Sequence, residues 1–287
     1  CALRVDGTVW CWGRLRKALL GENDGGNALV AAAKPVVGVA KADSLALGSE
    51  FACVAVGGQV KCWGERDKGA VGGSLVAGTW AHAPQPTPTL TAVTALRAGQ
   101  SSACARSEDG RLRCWGSNDW GQLGMGLVGK RHTKPHVQAL TDDAEALWAA
   151  TNGICVRTKD GKLRCWGSGY QAGFGDGERA SFSAPAVVEG LGAGVKGWSR
   201  DLDSAAGRHG CAIKADGSLW CWGRNVYGQL GTGSKDDNPA ALTPVKAKLP
   251  GPALQVCTGE AASCARLQDG TAWCWGGAQG FHYSPNA

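Results

Sequence analysis

Cys104-Ala-Arg-Ser-Glu-Asp-Gly-Arg-Leu-Arg-Cys114-Trp-Gly116 is the stretch on which the fold turns. Two cysteines stand ten positions apart, with Glu108, Asp109 and Gly110 midway between them. A three-residue loop carrying Gly at its left-handed position closes two antiparallel strands with a G1 bulge. Counting outward, Ser107 faces Arg111, Arg106 faces Leu112, Ala105 faces Arg113 and Cys104 faces Cys114. The closing pair is hydrogen-bonded, so alternation makes the cysteine pair a non-hydrogen-bonded one. Cα atoms of such a pair lie about 4.5 Å apart, inside the range that a disulfide spans.

The same arrangement recurs along the chain. Its pairs are Cys1/Cys11, Cys53/Cys62, Cys104/Cys114, Cys155/Cys165, Cys211/Cys221 and Cys264/Cys274, and every second cysteine opens a Cys-Trp-Gly triplet. Successive triplets are 51, 52, 51, 56 and 53 residues apart. A period of about 50 signals a propeller or a solenoid. Zinc is the first rival for so many cysteines, but zinc ligands favour gaps of about two to four residues. The Cys53/Cys62 pair discriminates. It is one residue shorter, and its turn is Gly57-Gly58, a two-residue loop suited to type I′. Val56 then faces Gln59 and Cys53 still faces Cys62. A cross-strand disulfide requires that compensation, and a metal site does not. Six intrahairpin disulfides are therefore expected, with reduced buried thiols as the alternative. Disulfides persist in oxidising compartments, which points outside the cell, to its surface or to a periplasm. Cys257 is left over, read as a buried free thiol on a strand, or else as paired beyond this chain.

Each period holds four short strand candidates. For the period ending at Gly64 they are Lys34 to Val39, Ser44 to Leu47, and the two arms of the Cys53/Cys62 hairpin. Four strands in about 52 residues fit one blade of a β-propeller. Helical periodicity is scarce, and Asp142 to Trp148 is its best fragment. After each triplet comes a Gly-rich connector, fullest as Asn118-Asp-Trp-Gly-Gln-Leu-Gly-Met-Gly126 and Asn225-Val-Tyr-Gly-Gln-Leu-Gly-Thr-Gly233. The single apolar residue between its glycines (Leu123, Leu230, Phe174 or Val71) is expected to plug the core. No P-loop Gly-Lys-Ser/Thr follows, so these connectors are not phosphate cradles.

Composition agrees. The chain has 287 residues with 45 Gly, and that excess suits many turns rather than long helices. Hydrophobic residues make up 44% and charged residues 19%, enough for a core and against a disordered tail. No apolar run is long enough to span a membrane. The chain begins at Cys1 and its only methionine is Met125, which reads as a mature form or an excerpt. The net charge of +6 is dispersed, with Arg14-Leu-Arg-Lys17 and Lys130-Arg-His132 as its densest runs. A nucleic-acid binder concentrates charge on one face, so nucleic acid is not the expected partner.

The period, the Asn-x-x-Gly-Gln-Leu-Gly connector and Gly207-Arg-His209 before Cys211-Ala-Ile resemble the regulator-of-chromosome-condensation repeat over nearly the whole chain. The Cys-Trp-Gly form looks like a Cys-rich secreted bacterial branch, in a superfamily shared with β-lactamase-inhibitor relatives. The resemblance implies an all-β propeller of four-stranded blades, one domain over residues 1–287, with about six repeats where seven are typical. An open or truncated ring is the corresponding expectation. Fold does not imply function, however. The family includes a plant ultraviolet-B photoreceptor that uses clustered Trp with nearby Arg. Here Trp10, Trp220 and Trp273 occupy one repeated position where other repeats have Lys61, Arg113 and Arg164. The plainer reading is packing between blades or at a rim.

Catalytic signals are weak. His132 and His136 are four apart, but Pro135 disfavours the helix that would align them. His209 reads as packing. No His-Glu-x-x-His or Gly-x-Ser-x-Gly motif occurs. Asp6, Asp109, Asp160, Asp216 and Asp269 all precede Gly in hairpin turns, which argues for turn chemistry. No enzyme, cofactor or metal is expected. The sequence reads as a monomeric extracellular or cell-surface scaffold for a protein partner, or for a glycan. A secreted inhibitor of the β-lactamase-inhibitor type is the alternative, and a guanine-nucleotide-exchange-like regulator a further one. The least repetitive stretches read as partner-binding loops. They are Gly73 to Thr89, with Trp80 and His82; Val128 to Val137, with Lys130, Arg131, His132 and His136; and Gly175 to Ser183, with Arg179 and Phe182.

Overall fold

The computed structural model describes all residues except 16–18, 22–27, 74–79, 130, 138–143, 150–151, 169–180, 201–208, 235–240, 260 and 278–287. Among the described residues there are 22 strands and no helix, in six sheets. The first sheet is β1 (Ala2–Leu3), β2 (Val9–Leu15) and β3 (Ala28–Pro35). The second is β4 (Ser44–Leu47), β5 (Phe51–Val56), β6 (Gln59–Glu65) and β7 (Trp80–Pro86). The third is β8 (Val93–Ala98), β9 (Ser102–Ser107), β10 (Leu112–Gly116) and β11 (His132–Val137). The fourth is β12 (Ala144–Ala149), β13 (Gly153–Thr158), β14 (Leu163–Gly167) and β15 (Phe182–Val187). The fifth is β16 (Val195–Arg200), β17 (His209–Lys214), β18 (Leu219–Gly223) and β19 (Ala241–Lys246). The sixth is β20 (Ala253–Thr258), β21 (Ala262–Leu267) and β22 (Ala272–Gly276). In every sheet, strands neighbouring in sequence are neighbours in space. Each sheet is one propeller blade. The chain forms two compact units, residues 1–156 with 182–185, and residues 157–181 with 186–287.

The hairpin register is the one that turn chemistry requires. Cys104 faces Cys114, Ala105 faces Arg113 and Arg106 faces Leu112. In the shorter hairpin Val56 faces Gln59 and Cys53 faces Cys62, around a turn in which Gly57 and Gly58 have φ of 56° and 76°. Both positive values are the type I′ signature. Five pairs are bonded with Cα–Cα distances of 4.0–4.1 Å: Cys1–Cys11, Cys53–Cys62, Cys104–Cys114, Cys211–Cys221 and Cys264–Cys274. Cys155 and Cys165 are disulfide-bonded as well.

In the second to fifth sheets the second strand is buried on both faces over most of its length. Phe51-Ala-Cys-Val-Ala55 and Ile154-Cys-Val156 are therefore unbroken apolar runs rather than alternating ones. The Cys-Trp-Gly tryptophan wedges between blades. Trp63, Trp115, Trp166 and Trp222 are all at most 2% exposed. Trp63 Nε1 donates to Leu19 O at 3.1 Å, Trp115 Nε1 to Ala70 O at 2.7 Å, and Trp275 Nε1 to Gln229 O at 2.9 Å. Each acceptor lies 44 to 46 residues upstream, so one indole ties its blade to the preceding connector. The triplet glycine makes this possible. Gly116 has φ of 106°, and a Cβ there would stand 2.5 Å from Ser101 O. It sits at a register shift between β10 and β11, where the outer strand kinks past the tryptophan.

That kink corrects the expected phase of the repeat. Lys34 to Val39 is not the first strand of its period. Strand β3 runs earlier, over Ala28–Pro35, and pairs back onto β2, with Pro35 opposite Trp10 and Lys34 opposite Cys11. Each blade thus starts with the strand at Ser44 or its equivalent and ends after the Cys-Trp-Gly strand. Two further corrections follow. The helical fragment at Asp142 to Trp148 is overridden: Ala144–Ala149 is strand β12, with Ala144 and Leu147 buried. Cys257 is free and lies on β20, but it is exposed rather than buried.

Candidate partner-binding surface

Two connectors are built alike from buried amides. In the first, Asn118 is 1% exposed. Its Oδ1 accepts from Leu123 N at 3.0 Å, and its Nδ2 donates to Leu127 O at 2.8 Å. Its own carbonyl accepts from Gly129 N at 2.9 Å, which closes the loop. Gln122, also buried, accepts from Trp120 N at 2.8 Å and donates to Ser117 Oγ at 3.2 Å. In the second, Asn225 Oδ1 accepts from Leu230 N at 3.0 Å and Asn225 Nδ2 donates to Ser234 O at 3.1 Å. Gln229 Oε1 accepts from Tyr227 N at 2.9 Å. Leu123, Leu230 and Val71 plug the core, each at most 1% exposed; Phe174 lies outside the described residues.

With Asn, Gln and Leu turned inward, the intervening side chains face out. Trp120, Leu127 and Val128 are 45%, 66% and 60% exposed, all on the one loop from Asn118 to Gly129. Tyr227 holds the equivalent aromatic position in the other unit, under the Arg224 guanidinium at 6.0 Å. These apolar groups are exposed on a loop whose backbone is already held by its own hydrogen bonds.

The residues singled out from sequence are distributed differently. The stretches read as loops contain the outer strands β7, β11 and β15. Trp80 opens β7 opposite Glu65, and His82 follows within that strand. Burial, and then the Glu50 carboxylate, hold Glu65 above the usual carboxylate range. His132 and His136 lie on β11, opposite Gly116 and Cys114. Arg131 is exposed and donates to Asp67 O on the preceding connector, which also bonds β11 through Gly73 N to Thr133 O at 3.1 Å. Phe182 opens β15, and the next residue accepts from Gly126 N at 2.7 Å. Phe182 is thus brought beside the Asn118–Gly129 loop. Lys130 and Arg179 lie outside the described residues. Sequence reasoning missed Trp120, Leu127 and Tyr227, and reached Val128 only as the first residue of the Val128 to Val137 stretch. The available signal was the aromatic before the first Gly of the connector, in Asn-Asp-Trp-Gly and Asn-Val-Tyr-Gly.

The hairpin tips have another role. Asp6 Oδ1 accepts from Thr8 N and Thr8 Oγ1, and Thr8 Oγ1 accepts from Trp10 Nε1 at 3.0 Å. The same relay runs Asp216–Ser218–Trp220 and Asp269–Thr271–Trp273. These side-chain and backbone hydrogen bonds hold the three carboxyls below their ordinary range. Arg4 and Lys214 lie over Trp10 and Trp220 at 5.5 and 5.7 Å. The repeated tryptophans therefore lock their own hairpins. Among the described residues, no group of three or more His, Cys, Asp or Glu could hold a metal ion. No helix long and apolar enough to cross a membrane occurs among them either.

Two segments match the regulator of chromosome condensation (RCC1) repeat, residues 93–122 and 216–266. The first runs from β8 to the buried Gln122, and the second covers the β17/β18 turn to β21. A structure of yeast RCC1 (Prp20) bound to Kap60 superposes with a TM-score of 0.76 and 21% identity, covering 96% of this chain and 67% of that one. The fold is accordingly the RCC1-type β-propeller. The human E3 ubiquitin-protein ligase HERC2 is 26% identical over 232 residues, 76% of this chain and 4% of HERC2. The ultraviolet-B receptor UVR8 of Arabidopsis thaliana is 27% identical over 223 residues, 77% of this chain and 49% of the receptor. The chain spans less than half the length of either relative.

Proposed function

We propose that this RCC1-repeat protein is a non-enzymatic scaffold that binds a protein partner in an oxidising compartment. The observation that carries the reading is the exposed trio Trp120, Leu127 and Val128 on a loop fixed by buried Asn118 and Gln122. Aromatic side chains at such positions are the commonest binding hot spots. A loop already held by its own hydrogen bonds loses little further entropy on association. The disulfides support a compartment outside the reducing cytosol, at the cell surface, in a periplasm or in the external medium.

The test is capture of partners from the native extracellular fluid and cell surface by the immobilised, oxidised protein. Replacing Trp120→Asp together with Leu127→Asp is expected to lower capture at least about tenfold, because hot spots are worth about 2 kcal/mol or more. Surface changes of this kind leave stability within about 0.5 kcal/mol, so the melting temperature should hardly move. Capture that survives the double variant but is lost with Trp80→Ala or Phe182→Ala transfers the surface to the outer strands. Recovery of a hydrolase with its activity abolished favours an inhibitor. Turnover by the purified protein removes the non-enzymatic reading.

A further inference from the structure

The sixth blade places three cysteines in one row. Cys257 on β20 stands opposite Cys264 on β21, and Cys264 stands opposite Cys274 on β22. Directly opposed residues project from the same face of a sheet. A free thiol therefore adjoins a disulfide on one surface. The second, third and fifth blades lack this row. The residue opposite the first hairpin cysteine is Ala46 in the second blade, Arg97 in the third and Ser199 in the fifth.

Reach and access are both satisfied. Gly259 N donates to Ala262 O at 2.8 Å at the mouth of the β20/β21 turn. Counting back, Thr258/Ser263 is a non-hydrogen-bonded pair and Cys257/Cys264 a hydrogen-bonded one. Cα atoms of such a pair are about 5.5 Å apart, within the span of a disulfide. Among the bonded cysteines only Cys274 is exposed, and Cys1 and Cys264 are half-buried. Cys11, Cys53, Cys62, Cys104, Cys114, Cys155, Cys165, Cys211 and Cys221 are fully buried. Arg266 lies on the same face, two residues along β21, and donates to Gln255 at 3.0 Å.

We infer that the sixth blade is an intramolecular thiol–disulfide exchange site, in which Cys257 competes with Cys274 for Cys264. The Cys257 thiol loses its proton to solvent, and its sulfur attacks the Cys264 sulfur. The Cys257–Cys264 bond forms, the Cys264–Cys274 bond breaks, and the electron pair leaves on Cys274, which takes up a proton. One disulfide and one thiol enter and leave the step, so no oxidant or reductant is needed. The exposed thiol moves from β20 to β22, between Trp273 and Trp275. The blade can thus present a reactive sulfur on either of two strands.

Alkylation of the oxidised protein in mildly alkaline buffer, followed by acid quenching and non-reducing digestion, tests this. Cleavage after Glu260 and Arg266 puts the three cysteines on separate peptides. With prolonged exposure before labelling, Cys274 is expected to carry at least about a tenth of the label. Peptides joined through Cys257–Cys264 should appear alongside those joined through Cys264–Cys274. Exchange should proceed at a rate independent of protein concentration. Less label on Cys274, or a rate that scales with concentration, overturns the inference. Cys274→Ser provides a second reading. It should form the Cys257–Cys264 bond and leave no alkylatable thiol, and two free thiols in the folded variant would contradict the proposal.

Discussion

Full reduction of the disulfides is expected to lower the melting temperature by at least about 20 °C. Each bridge closes a loop of about ten residues, worth about 2–3 kcal/mol in the chain-entropy model. Six together reach on the order of 10 kcal/mol, comparable with the whole stability of an ordinary domain, about 5–15 kcal/mol. A chain this long shifts its melting temperature by about 2–4 °C per kcal/mol. Nine of the bonded cysteines are fully buried, so full reduction requires the unfolded chain. The measurement is refolding from denaturant with and without reductant, followed by thermal melts monitored by circular dichroism. The Cys264–Cys274 bond, with Cys274 exposed, should be cleaved before any other in the native protein. Equal melting temperatures for the two preparations would show that the bridges are incidental.

Trp115→Ala is the single substitution with the largest expected cost. Its indole is fully buried and its Nε1–H bonds Ala70 O at 2.7 Å. Truncating a buried tryptophan costs about 3–5 kcal/mol through lost burial and the cavity left behind. The Ala70 carbonyl loses its donor as well, which adds about 1–3 kcal/mol. Trp115→Phe keeps most of the volume and should cost chiefly that second part. Trp12 is the internal control: it belongs to the same triplet but is 48% exposed. Trp12→Ala should therefore cost about 0.5 kcal/mol or less. Denaturant midpoints of the three variants decide the matter. Similar losses at Trp12 and Trp115 would refute the wedge as the element joining blades.

Much of this fold is legible in the residues. The hairpin register follows from turn length alone, because Gly110 and the Gly57-Gly58 pair each permit one pairing that brings the cysteines together. The outer strands are harder to see. Ala31, Ala32 and Ala33 in β3 are exposed and have little strand preference, and the register shift at Gly13 hides where pairing resumes. Asp142 to Trp148 misleads because its local preference is outweighed by pairing in the sheet, which sequence spacing does not reveal. The candidate surface was concealed by its own regularity. Asn118-Asp-Trp-Gly-Gln-Leu-Gly reads as structural repeat, and its amides and Leu123 are indeed structural. Only side-chain direction separates Trp120 from Leu123, and direction depends on the turns that Gly121 and Gly124 permit. Variability pointed instead to β7, β11 and β15, where exposed outer strands tolerate change.

The most direct measurement is hydrogen exchange on the complex formed with a captured protein partner. Residues 118–129 are predicted to exchange at least about tenfold more slowly than in the free protein, with the neighbouring Phe182 segment following. Protection confined to Trp80–Pro86 and His132–Val137, with 118–129 exchanging as in the free protein, would contradict the account.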